Sequence, residues 1–92
     1  MSKLFPTLFS PGQIGNLRLK NRVIKAPLST SMAGVDGSVT ERLIRYYIRQ
    51  AAGGCAMVIV ESLSIDELGS KTSHCGHLAL SSDEYIGGLA WL

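Results

Sequence analysis

The segment Ala56-Met57-Val58-Ile59-Val60 is apolar at every position, without the alternation of a half-exposed strand. Val-Ile-Val is β-branched and favours extended backbone. A strand apolar on successive residues is built to be covered on both faces, as in a parallel sheet. A parallel partner can be reached only through a crossover connection, usually a helix. A strand and then a helix before residue 56 would make one such unit.

Both are present. Val23-Ile24-Lys25-Ala26 is a second strand candidate, closed off by Pro27, which has no N–H to offer a ladder. Ser38-Val39-Thr40-Glu41 reads as a capping box with Ser38 as N-cap and Thr40 as a competing cap. The helix is expected from about Thr40 to Ala52. Its apolar positions Leu43, Ile44, Tyr47, Ile48, Ala51 and Ala52 line one face of a 3.6-residue period. Arg42, Arg45 and Arg49 fall mostly on the other face, which reads as a solvated outer surface. Gly53-Gly54 ends the helix by allowing a left-handed C′ residue. Strand, helix and buried strand make one βαβ unit.

Upstream, Gln13-Ile14 and Leu17 to Lys20 flank Gly15-Asn16, the pattern of a two-residue hairpin. Ile14, Leu17 and Leu19 are its expected buried face. Downstream, Ser62 to Leu80 reads as a long polar connection. Ser81-Ser82-Asp83-Glu84 is a second capping box, opening a helical pattern with Tyr85, Ile86, Leu89, Ala90 and Leu92 as apolar candidates.

Composition narrows the class. The chain has 92 residues, 46% hydrophobic and 17% charged. That excludes a disordered chain. Two cysteines exclude a disulfide scaffold. A net charge of +2 gives no reason to expect nucleic acid or an anionic membrane as partner. No signal-like apolar stretch follows Met1, and no run approaches the roughly 20 apolar residues of a membrane helix. The expectation is a soluble cytoplasmic protein with reduced thiols. Two strands and one helix cannot cover both faces of residues 56–60, so the chain reads as part of something larger. Residues 1–92 alone are expected to be poorly soluble and to bind cofactor weakly or not at all.

Two constellations could carry chemistry. Ala26-Pro27-Leu28-Ser29 and Glu61-Ser62 stand at the C-terminal ends of the two strands, where βα-barrels collect their active sites. On spacing alone this is an ordinary strand-to-loop transition. His74-Cys75-Gly76-His77 offers three soft donors within four residues, but a zinc site needs four ligands, usually as separated pairs. A plain loop is the preferred reading, with no metal site. No glycine-rich phosphate loop of the G-x-G-x-x-G or Walker type occurs.

The string from Leu8 to Pro27, above all Leu19-Lys20-Asn21-Arg22-Val23-Ile24-Lys25-Ala26-Pro27, resembles the opening of the old yellow enzyme family. The resemblance continues through Asp36-Gly37, Thr40, Tyr46-Tyr47, Ala51 to Gly54 and Val58 to Glu61, and returns at Ser82-Asp83-Glu84. It implies the N-terminal part of a (β/α)8 TIM barrel. Residues 13–20 would close the barrel bottom, Val23–Ala26 would be strand one and Ala56–Glu61 strand two. The start of the second barrel helix would follow. It implies an FMN-dependent oxidoreductase that takes hydride from NAD(P)H and reduces an activated C=C bond of a small enone or enoate.

The resemblance also assigns residues. Ala26, Pro27, Leu28, Ser29 and Ser62 would line one side of the flavin. Leu28 and Ser29 depart from the commoner Met and Thr or Cys, and Ser31 stands where one branch has a substrate-contacting Tyr. Lys25 would either support a reduced flavin or point to solvent. The carbonyl-binding pair, proton donor and phosphate-binding arginine would come from later in a barrel, as would any FAD or iron–sulfur domain, which only one branch carries. The alternatives are an inactive piece or orphan subunit needing a partner chain, or another phosphate-binding barrel.

Overall fold

Four two-residue and two three-residue strand segments would hardly hold a chain together, so the helix between them organises the structure. The computed structural model describes residues 4–66 and 77–92. β1 (Gly12–Ile14) and β2 (Leu17–Leu19) pair antiparallel around Gly15-Asn16, with Ile14 opposite Leu17 and Gly12 opposite Leu19. Gly15 has φ +55°, the left-handed conformation a two-residue hairpin requires. The hairpin is as expected, but its buried face is not. Leu19 is buried, whereas Ile14 and Leu17 are about half exposed at 53% and 52%. They sit at the tip, beyond the reach of the described core.

β3 (Ile24–Lys25) and β4 (Met57–Val58) pair in parallel, Ile24 with Met57 and Lys25 with Val58. Hydrogen bonds from Ala56 N to Val23 O and from Ile59 N to Lys25 O extend the pairing at both ends. Between them runs α1 (Glu41–Ala52). Its N-cap is Thr40, whose Oγ1 accepts from Leu43 N at 3.1 Å. Ser38, the expected first choice, instead turns back on Asp36. The left-handed glycine after the helix is Gly54 at φ +110°, with Gly53 still helical. Asn21 fastens the far side of this turn: its Nδ2 donates to Gly54 O while its Oδ1 accepts from Val23 N.

The expected polar connection of residues 62–80 contains structure. β5 (Leu63–Ser64) pairs in parallel with β6 (Leu78–Ala79). Leu78 is fully buried and joins Leu43 and Tyr47 as the centre of the core, with Met32, Val39, Val58 and Leu63 packed around it. Gly37 is buried against β6: its carbonyl accepts from Ala79 N, and a Cβ on it would lie 2.5 Å from Ala79 Cβ. After β6, a 3-10 turn (Asp83–Tyr85) leads into α2 (Ile86–Trp91). Helix begins there as expected, but no side chain of the anticipated second capping box caps it.

The βαβ unit is covered on only part of its surface. Among the described residues β3 and β4 have no third strand. Ile24, Ile59 and Val60 are 39–41% exposed, so the both-face coverage expected for residues 56–60 is not supplied within these residues. On α1, Leu43 and Tyr47 are buried, but Ile48 is 62% exposed and Ala51 and Ala52 are exposed. Ile44, Tyr47, Ile48, Ala51, Val58, Val60 and Leu92 line an open apolar groove of ≈240 Å³. The radius of gyration is 15.8 Å, against about 12 Å for a compact domain of this length. No described helix is long and apolar enough to cross a membrane.

Candidate functional site

The parallel register of β3 and β4 sets their C-terminal ends side by side, and the segments that follow emerge together. Ser29 Oγ lies 3.3 Å from Ser62 Oγ, a hydrogen bond between residues 33 apart in sequence. Ala26, Pro27, Leu28, Ser29 and Ser62 are all exposed, Leu28 to 66%. Two hydroxyls that can each donate or accept thus stand beside an accessible apolar strip. That combination suits the edge and face of a flat heteroaromatic group, so the residues present fit one side of a flavin. Ser31 is exposed and has φ +58°, uncommon for a non-glycine residue.

Beneath these hydroxyls lies a network that the sequence alone did not single out. Glu61, 4% exposed, accepts from Thr30 Oγ1 at 2.9 Å, from Thr30 N at 3.4 Å and from Tyr47 OH at 2.9 Å. Tyr47 OH in turn accepts from Glu61 N at 3.0 Å. Thr30 Oγ1 also accepts from Met32 N, spanning the left-handed Ser31. Burial pushes the Tyr47 phenol up to about 12. The available signal was an acid ending an apolar strand and a tyrosine on the buried helix face, a pairing at fourteen residues' separation.

Lys25 does not face the candidate flavin side. It shares a face with its register partner Val58, which packs on the core. Its Nζ sits 5.3 Å and 5.4 Å from the ring centroids of Tyr46 and Tyr47 and donates to Ala26 O. The rings hold it by cation–π attraction, as an ammonium over an electron-rich face. Of the His74-Cys75-Gly76-His77 run, only His77 is among the described residues. Among the described residues no three His, Cys, Asp or Glu side chains group as metal ligands.

Arg22 is structural. Its guanidinium donates to Ser10 Oγ and Pro11 O, and its N–H donates to Leu8 O, clasping the N-terminal turns to the start of β3. Asn21 and Arg22, prominent in the resemblance to a known family, thus anchor the strand that carries the site.

Comparison with known proteins identifies the family. Residues 7–92 match the NADH:flavin oxidoreductase / NADH oxidase family, and the chain belongs to it. Among curated relatives, an NADH oxidase of Thermoanaerobacter brockii is 44% identical over 84 residues, covering 91% of this chain and 13% of that protein. An NADPH dehydrogenase of Listeria welshimeri is 33% identical, covering 92% of this chain and 25% of that protein. Among solved structures, a 2-naphthoyl-CoA reductase superposes with a TM-score of 0.87 at 27% identity, over 95% of this chain and 13% of that one. The old yellow enzyme of Trypanosoma cruzi gives 0.76 at 29% identity, over 92% of this chain and 22% of that one. The chain is therefore an old yellow enzyme-type TIM-barrel segment, spanning about an eighth to a quarter of these four proteins. No closed barrel forms from the described residues.

Proposed function

We propose that this segment forms one wall of the FMN site in an oxidoreductase barrel. FMN bound there would accept hydride from NAD(P)H and deliver it to an activated C=C bond of a small enone or enoate. The observation that carries this reading is the Ser29–Ser62 pair, at 3.3 Å, on adjacent C-terminal ends of parallel strands. Active sites of βα-barrels gather at that end.

Each residue contributes a distinct function. Ala26, Pro27 and Leu28 offer an apolar surface on which a planar ring can lie. Pro27 fixes the backbone direction and has no N–H to leave unpaired. Ser29 and Ser62 offer hydroxyls to the polar edge of the ring, and can exchange their mutual bond for bonds to it. Ser31, exposed beyond Thr30, would stand on the substrate side. Family membership supports the flavin and nicotinamide chemistry. The open apolar groove beside α1 supports a need for the remaining barrel. Cys55 is a free thiol donating to Gln50 O, in keeping with a reducing, cytoplasmic setting.

The test uses the complete barrel containing this segment. Purified protein should carry FMN, lose its yellow colour on anaerobic addition of NADH or NADPH, and regain it when an enone is added. A colourless protein that retains no FMN after incubation with it and removal of the unbound flavin would refute the flavin assignment. Reoxidation by oxygen but by no activated alkene would refute the substrate class.

A further inference from the structure

The hydrogen bonds of Glu61 join the two strand ends at the point where their hydroxyls meet. Glu61 directly precedes Ser62 in the chain. Its carboxylate receives both the backbone N–H and the hydroxyl of Thr30, the residue directly after Ser29. The spacing of Ser29 from Ser62 is thus bracketed by one buried side chain. Tyr47 fixes that side chain from α1, donating to the carboxylate and accepting from the Glu61 N–H. A buried carboxylate with three donors aimed at it has one arrangement that satisfies them all. The segment after β3 otherwise has little to hold it: residues 26–29 are exposed.

We propose that Glu61 is a positioning residue for the flavin site, acting through Thr30 to set where the Ser29 hydroxyl stands relative to Ser62. This rests on the flavin reading of the strand ends and adds a role for a residue that does not touch the ring. Glu61→Gln keeps the shape but replaces one acceptor oxygen with an NH2 that meets a donor. Thr30→Val removes one donor and leaves the carboxylate in place.

The experiment is FMN binding to the complete barrel, measured by quenching of flavin fluorescence, in a double-mutant cycle. Glu61→Gln is expected to weaken FMN binding about tenfold, the scale of one charge-assisted hydrogen bond. Thr30→Val should weaken it in the same direction, and answers the question if Glu61→Gln does not fold. The informative arm is Ser29→Ala. If Glu61 acts through Ser29, adding Glu61→Gln or Thr30→Val to Ser29→Ala costs little further affinity. Full additivity, or wild-type affinity in both Glu61→Gln and Thr30→Val, overturns the positioning role while leaving the flavin reading intact. A wild-type barrel that takes up no FMN overturns both.

Discussion

Tyr47 and Glu61 are bound to each other twice: the phenol donates to the carboxylate at 2.9 Å and accepts from the same residue's N–H at 3.0 Å. Both residues are buried, so neither group can turn to water instead. Tyr47→Phe removes the donor and the acceptor together and strands the Glu61 N–H. Leaving a buried polar group unmatched costs about 1–3 kcal/mol. Urea denaturation of the complete barrel should show a loss of that size, and an unchanged midpoint would mean the pair contributes nothing to folding.

The same contact sets a pH dependence. Burial raises Tyr47 to about 12, so the folded state favours the neutral phenol. That stabilisation is fully present below the unfolded value of about 10 and disappears as pH climbs through about 12. The stability difference between wild type and Tyr47→Phe should hold steady below pH 10 and change only above it. A difference that varies between neutrality and pH 10 would point to another group.

Thr40, not Ser38, caps α1. Its hydroxyl accepts from Leu43 N and donates to Met32 O, so it joins the helix start to the loop after β3. Thr40→Ala should cost about 1–2 kcal/mol, the scale of a lost cap. Ser38→Ala should cost less, because the Ser38 hydroxyl donates only to the exposed Asp36. It should, however, raise the Asp36 carboxyl, which the Ser38 hydroxyl and then its N–H hold below the ordinary value. Thermal unfolding of the two variants ranks the caps, and NMR titration reads the carboxyl.

Two left-handed glycines should respond differently to a methyl group. At Gly37, with φ +91°, the added Cβ would meet Ala79 Cβ at 2.5 Å. At Gly15, with φ +55°, nothing lies within 4 Å. Gly15→Ala bears only the backbone term, about 1 kcal/mol. Gly37→Ala adds overpacking against β6 and should exceed about 2 kcal/mol. Equal losses would show that the Gly37–Ala79 contact is readily relaxed.

Much of the fold was legible in the sequence, because short-range patterns specify it. The hairpin follows from Gly15-Asn16, the helix from the spacing of Leu43 and Tyr47, and the parallel pairing from the apolar run at residues 56–60. The convergence of Ser29 and Ser62 follows from that pairing. What escaped detection depends on contacts distant in sequence. Leu63-Ser64 and Leu78-Ala79 are too short to show a period, and Leu78 is buried because it meets Leu43 and Tyr47. Thr30 carries no local signal of its role, since its bond to Glu61 spans thirty-one positions. The place of Lys25 is not legible either, because charge alone does not reveal that two tyrosine rings stand beside it.

A structure of the complete barrel with FMN bound bears most directly on the strand-end site. The isoalloxazine should lie against Ala26 to Ser29, with the Ser29 and Ser62 hydroxyls about 3 Å from its polar edge. A flavin seated away from both hydroxyls, with the Ser29–Ser62 bond unchanged, would contradict the assignment.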